Sequence, residues 1–207
     1  MNLPKQSHLP PQVSLRGSVL QPKQSHRPRM GAEIGFGEGW GRALSPLYDK
    51  LPPVNFSRIT DDLFIGDTPR SEDYDLLRDL GVRLVINMRF EWRPPVDPHQ
   101  PPLNFLWLRT IDSPLLLIPI RSMMRGARAA LNTIREGGRV YTHCAKGRHR
   151  GVAMGAAVLI ALGYDPFAAI DLIKRQRPDA DPNIYYIRSR ILRFARTWSP
   201  VPVEDRA

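Results

Sequence analysis

Residues 139–151 read RVYTHCAKGRHRG, and this stretch decides the fold. Arg139 to His143 (RVYTH) has the make-up of a short strand, and from Arg150 to Leu162 the chain turns apolar and reads as a helix. Between them lies only the short turn CAKGRH. A strand that passes through a tight loop into an apolar helix is a building step of an α/β sheet.

Reading outward toward the N-terminus, the same grammar repeats. Asp62 to Gly66 (DLFIG) is a short strand, and Ser71 is expected to cap the helical stretch EDYDLLRDL, which closes at Gly81. VRLVINM then reads as a buried strand. Five prolines between Arg89 and Pro102 (Pro94, Pro95, Pro98, Pro101, Pro102) make that segment loop. Asn104 to Arg109 (NFLWLR) is a strand that delivers Thr110, Ile111 and Asp112 to its far end. Apolar residues at helical spacing from Ile120 to Glu136 predict a helix ended by Gly137 and Gly138, with Arg121, Arg125, Arg128 and Arg135 on its opposite side; a solvated basic face is the expectation, and contact with a membrane or an acidic partner is the competing reading. Downstream, Asp165 with Pro166 and Asp181 with Pro182 each predict a helix start, an N-cap followed by proline at the first helical position.

Composition locates what is unusual. The 207 residues carry a formal charge of +10 and 21 prolines. Five of the basic residues (Lys5, Arg16, Lys23, Arg27, Arg29) and no acidic one fall in the first thirty, where PKQSH also occurs twice, at Pro4 to His8 and Pro22 to His26. Such a polar, proline-rich stretch cannot bury enough surface to offset its ordering entropy and is expected to be disordered, with Met30 as an alternative start. The remainder has a balance of only +5, which argues against a nucleic-acid partner. One cysteine, Cys144, rules out an internal disulfide framework and a multi-thiolate zinc site. The longest apolar run, Val152 to Leu162, is too short for a membrane span, and no secretory h-region opens the chain. A monomeric, cytoplasmic protein is the expectation.

The turn carries the chemistry. Backbone N–H groups of Ala145, Lys146, Gly147, Arg148 and His149, with the positive end of the following helix, would cradle a tetrahedral oxyanion. Arg150 can return across the loop and grip two oxygens with its planar fork. A free thiol titrating near about 8.5 falls to roughly 3.5–7.5 in such a field, so Cys144 is expected to be a thiolate able to attack phosphorus. Gly147 supplies a position without Cβ, and His143 is expected to orient the loop and assist thiolate formation. A leaving alkoxide or phenolate needs a proton, and Asp112, ahead of the apolar loop SPLLLIPI that could close over the cleft, is placed to supply it. A phosphate-binding module without turnover and a rhodanese-like sulfur carrier are the competing readings; Asp112 and Gly147 fit a phosphatase better.

With these residues in view, the stretch from about Asn55 to Thr197 resembles the dual-specificity branch of the cysteine-dependent protein tyrosine phosphatases, whose loop reads His-Cys-x-x-Gly-x-x-Arg followed by Ser or Thr. DLFIGD, LGVRLVINM and KRQRPDADPN add weaker likeness. The resemblance implies a metal-free, cofactor-free cysteinyl-phosphate mechanism with Cys144 as nucleophile, Arg150 on the phosphate and Asp112 as acid, acting on phosphorylated protein or phospholipid. It also suggests that Arg177 and Pro178 pack under the site. Lys146, Arg148 and His149 suit polyanionic substrates such as phosphoinositides or phosphatidylglycerophosphate. One departure stands out: Gly151 occupies the Ser/Thr place, which removes the hydroxyl that helps sulfur leave and predicts slow breakdown of the phosphoenzyme. The expected architecture is a central mixed, mostly parallel sheet of four to five strands flanked by helices over 46–200, with tails over 1–45 and 201–207.

Overall fold

The structure, a computed structural model, describes residues 54–199. The expected basic tail, its PKQSH pair, Met30 and the segment 201–207 lie outside these residues.

Among the described residues, five strands and five helices follow one another: β1 (Phe56–Arg58), β2 (Leu63–Gly66), α1 (Tyr74–Asp79), β3 (Val82–Arg89), β4 (Asn104–Thr110), α2 (Ile120–Arg135), β5 (Arg139–His143), α3 (Arg150–Ala161), α4 (Pro166–Gln176) and α5 (Tyr185–Thr197). From β2 onward the order is the expected one, and the three-residue β1 is a strand that the sequence pattern did not predict. The sheet runs β1-β2-β5-β3-β4; β1 is antiparallel to β2 and every other pair is parallel. It is thus the mixed, mostly parallel sheet that the pattern predicts. β5 lies at its centre, with His143 in register between Gly66 of β2 and Asn87 of β3. Whatever follows His143 therefore emerges at the carboxyl edge of the sheet, where ligands of open α/β sheets bind.

Successive strand residues face opposite ways, so the two sides of the sheet bury two clusters. Leu63, Ile65, Leu84, Ile86 and Val140 meet α3, which is buried from Arg150 to Ile160. Phe64, Val82, Val85 and Tyr141 meet Tyr74 and Leu77 on the other side. An apolar helix sealed between the sheet and α2, α4 and α5 has little freedom to move its N-terminus.

Two helix starts differ from expectation. Ser71 does not cap α1: a 3-10 turn spans Ser71–Asp73, and the buried Asp73 carboxylate accepts the Arg70 N–H at 2.8 Å. Asp165 does cap α4, accepting from the N–H groups of Phe167 and Ala168 at 2.9 and 3.1 Å. Asp181, in contrast, starts no helix; α5 begins at Tyr185, and the Asp181 carboxylate takes the Arg148 guanidinium at 2.6 Å instead. A charged donor is a stronger partner for a carboxylate than a backbone N–H, and it draws the residue out of the capping role.

Candidate active site

The loop from Cys144 to His149 is held from behind by its carbonyls. Thr68 Oγ1 donates to the Cys144 carbonyl at 3.0 Å, and Arg89 Nη1 donates to that hydroxyl at 2.9 Å. On the other flank the buried Arg177 donates from Nε to the Gly147 carbonyl at 2.9 Å and from Nη2 to that of Lys146 at 3.3 Å. With the carbonyls drawn outward, the five N–H groups from Ala145 to His149 donate to no protein acceptor among the described residues. Gly147 turns the loop at φ +60°, and a Cβ there would lie 2.5 Å from the Gly66 backbone, so glycine is required twice over.

Arg150, the first residue of α3, is anchored at the sheet edge. Its Nη1 donates to the carbonyl of Thr110 at 2.7 Å and to that of Met88 at 3.4 Å, the ends of β4 and β3. Only 4% of it is exposed, and its buried Nε has no hydrogen-bond partner. Glu91 Oε2 approaches Nη1 at 3.5 Å. Burial would raise the Glu91 carboxyl, but a hydrogen bond from its own N–H, one from Arg89, and the Arg150 and Arg89 charges outweigh this and bring it down to about 2. Glu91 is therefore a carboxylate that steadies the guanidinium.

Asp112 reaches the same place. Its Oδ2 lies 3.6 Å from Arg150 Nε and 3.2 Å from His149 Nδ1, and its Oδ1 accepts the Tyr186 hydroxyl at 3.1 Å. Tyr186 also stands 3.1 Å from His149 Nδ1. Burial, and then the Asp112 charge, push the Tyr186 phenol up to about 12, so it stays a donor. Asp112 thus sits in a three-membered network that turns one oxygen toward the cradle.

The remaining sequence candidates divide. The Arg148 side chain leaves the loop for the Asp179 carbonyl at 3.0 Å and for Asp181, while Lys146 is exposed at the rim. His143 is buried; burial first, then the Arg89 and Arg150 charges, depress its imidazole to about 3 against an opposing hydrogen bond at the Cys144 backbone. It is therefore neutral, and its Nδ1 has no partner. The Thr142 hydroxyl is committed to the Gly151 carbonyl at 3.0 Å. A Cβ on Gly151 would stand 3.0 Å from the His143 backbone, so the missing hydroxyl accompanies a close approach of α3 to β5. Thr68, Arg89, Glu91, Tyr186 and Asp181 carry no local motif, and only folding brings them to the loop.

No model of a known protein family matches the chain. Compared with individual proteins, it is 30% identical over 135 residues to mouse dual specificity phosphatase 28, a match spanning 64% of this chain and 79% of the relative. The chain belongs to the dual-specificity branch of the protein tyrosine phosphatase superfamily. Solved structures agree on the fold of this phosphatase. The crystal structure of human DUSP28 superimposes with a TM-score of 0.62 at 24% identity, covering 71% of this chain and 96% of that one. PTPMT1 in complex with PI(5)P gives 0.60 at 24% identity, covering 69% and 95%.

Proposed function

We propose that this dual-specificity phosphatase hydrolyses phosphomonoesters through a cysteinyl-phosphate on Cys144, without a metal ion. The observation that carries the reading is the cradle itself. Five N–H groups left without protein acceptors among the described residues, and a buried Arg150 Nε with no hydrogen-bond partner among them, surround one cysteine ahead of a buried helix.

In the first step the Cys144 sulfur forms a bond to phosphorus as the ester P–O bond breaks, and Asp112 gives its proton to the departing oxygen. Arg150 and the loop N–H groups hold the charge that gathers on the equatorial oxygens. In the second step water attacks the phosphocysteine, its proton passes to Asp112, and the sulfur leaves with the S–P electron pair. With Thr142 committed to Gly151, no side-chain hydroxyl of that pair supports the leaving sulfur, and the second step is the slow one.

The substrate is a phosphorylated protein on tyrosine, serine or threonine. Phospholipid substrates are the second reading, favoured by the exposed Lys146 at the rim and by the similarity in fold to a phosphatase solved with PI(5)P. Hydrolysis of an aryl phosphate in the presence of a chelator tests the chemistry. Wild type is expected to turn over and Cys144→Ser to lose at least about a thousandfold in rate; activity that survives the substitution, or that the chelator abolishes, contradicts the mechanism.

A further inference from the structure

Beside the cradle lies a surface that the reaction does not use. Directly after Asp112, the loop 113–119 presents Leu115, Leu116 and Leu117, which are 89%, 58% and 42% exposed. The next residue, Ile118, is buried in the core, and Ser113 Oγ accepts the Leu115 N–H at 3.1 Å. The leucines therefore project from a loop pinned at its base rather than covering the cleft. Single exposed apolar residues need no explanation, but a run of three does.

Basic residues follow this tip in the chain. From Ser113 to Arg135 the chain has no acidic residue, and Arg121, Arg125, Arg128 and Arg135 are exposed along α2. A cavity of about 590 Å³ is lined by Trp107, Arg109, Arg121, Ser122 and Arg125. Arg109 holds a left-handed backbone (φ +46°), unusual for a side chain with Cβ, and its guanidinium lies 4.2 Å over the Trp107 ring. None of Arg109, Arg121, Arg125 and Arg128 pairs with a carboxylate among the described residues. Leu117 and Arg121 are four residues apart, which limits their Cα separation to roughly 14 Å.

We propose that the Leu115–Leu117 tip and the arginine-lined cavity at the start of α2 form a docking surface for an anionic lipid bilayer, the leucines entering the interfacial region and the arginines holding headgroup phosphates. The size of the apolar part favours a bilayer over a protein. Three leucines fall far short of the about 800 Å² per partner that a stable protein interface covers, whereas a membrane interface takes an apolar tip with a basic rim. The unopposed charge gives the complement to anionic headgroups, and the cavity has the Ser122 hydroxyl and the guanidinium donors that a phosphate head requires, while the Trp107 indole N–H is already given to the Arg89 carbonyl. Asp112 lies three residues before Leu115, so seating the tip brings the cradle to the lipid surface. The surface stands whether or not Cys144 is the nucleophile.

Co-sedimentation of the full chain with phosphatidylcholine vesicles, with and without phosphatidylglycerol, tests this. Wild type is expected to sediment with the anionic vesicles and to be released by salt. Arg121→Glu/Arg125→Glu is expected to weaken binding at least 25-fold, from about fivefold per arginine. Leu115→Ser/Leu116→Ser is expected to weaken it on the order of tenfold or more. Arg175→Glu/Arg196→Glu changes the total charge equally on the exposed faces of α4 and α5 and is expected to retain most of the binding, which separates this surface from the basic N-terminal stretch. Hydrolysis of a soluble aryl phosphate by the Arg121/Arg125 variant is expected to match wild type. Equal loss in the control pair, or vesicle binding unaltered by the arginine and leucine changes, overturns the proposal. So does a wild type that ignores anionic vesicles and binds a phosphopeptide through the same arginines.

Discussion

Tyr186 does for Asp112 what Arg177 does for the loop Cys144–His149: each fixes a group of the candidate site from outside it. The Tyr186 hydroxyl donates to Oδ1 at 3.1 Å, and Oδ2 is thereby left facing His149 and Arg150. Tyr186→Phe removes that donor while keeping the ring edge against His149. The expected result is a drop of about tenfold in kcat/KM, which reports formation of the phosphocysteine, for an alkyl phosphate, the worth of one hydrogen bond to a charged group, with little change in kcat/KM for an activated aryl ester whose leaving group needs no proton. Inorganic phosphate is expected to inhibit the variant as it does wild type. Equal loss of kcat/KM on both esters contradicts a role through Asp112 in protonating the leaving group. The strand-loop-helix around Cys144 was legible in the sequence because Cys144, Gly147 and Arg150 fall within seven residues, and short-range spacing determines how a tight loop turns. Tyr186 was not legible, since 74 residues separate it from Asp112 and its helix reads as ordinary amphipathic sequence. Arg148 shows the opposite case: its charge was legible, but its direction was set by Asp181, 33 residues away.

At the scale of elements, α4 matters because Arg177, at its C-terminal end, braces the loop carbonyls. Its N-terminus is held by the Asp165 carboxylate, and Pro166 is preset for the first turn. Asp165→Ala is expected to lower stability by about 1 kcal/mol, measured by urea unfolding, with kcat nearly unchanged, because the tertiary contacts of the helix persist. A change far below this implies that packing alone defines the helix start. The order of strands and helices was readable from apolar period and from glycine at the helix ends, which the structure shows at Gly81 and Gly137. Asp165-Pro166 and Asp181-Pro182 look alike in sequence, yet only the first is a cap. The difference lies in a guanidinium that reaches Asp181 and has no counterpart at Asp165, and local sequence does not carry that information.

For the molecule as a whole, the buried His143 sets a pH dependence of stability. Its folded value of about 3 lies below the ordinary 6.5, so between these values the unfolded chain binds a proton that the folded chain refuses. Stability therefore rises with pH through this window and is lost as pH falls from about 6.5 toward 3. From pH 7 to pH 5 this one group is expected to remove about 2 kcal/mol. The carboxyl of Glu91, held at about 2 against an ordinary 4.5, loses its contribution as pH falls from about 4.5 toward 2, so of these two groups only His143 acts between pH 7 and pH 5. Urea midpoints for wild type and His143→Asn check this: the wild-type midpoint falls between pH 7 and pH 5, and the variant's falls less. Parallel curves contradict a neutral buried imidazole.

A phosphocysteine that forms faster than it breaks down is visible in rapid-quench kinetics with a labelled aryl phosphate. Wild type is expected to release a burst approaching one product per chain, with the label on Cys144. Gly151→Ser is expected to shrink the burst and raise steady turnover by about tenfold, provided α3 gives the few tenths of an ångström that a Cβ beside His143 requires. Linear product release without label on Cys144, together with unchanged turnover in Gly151→Ser, contradicts a slowly hydrolysed cysteinyl-phosphate.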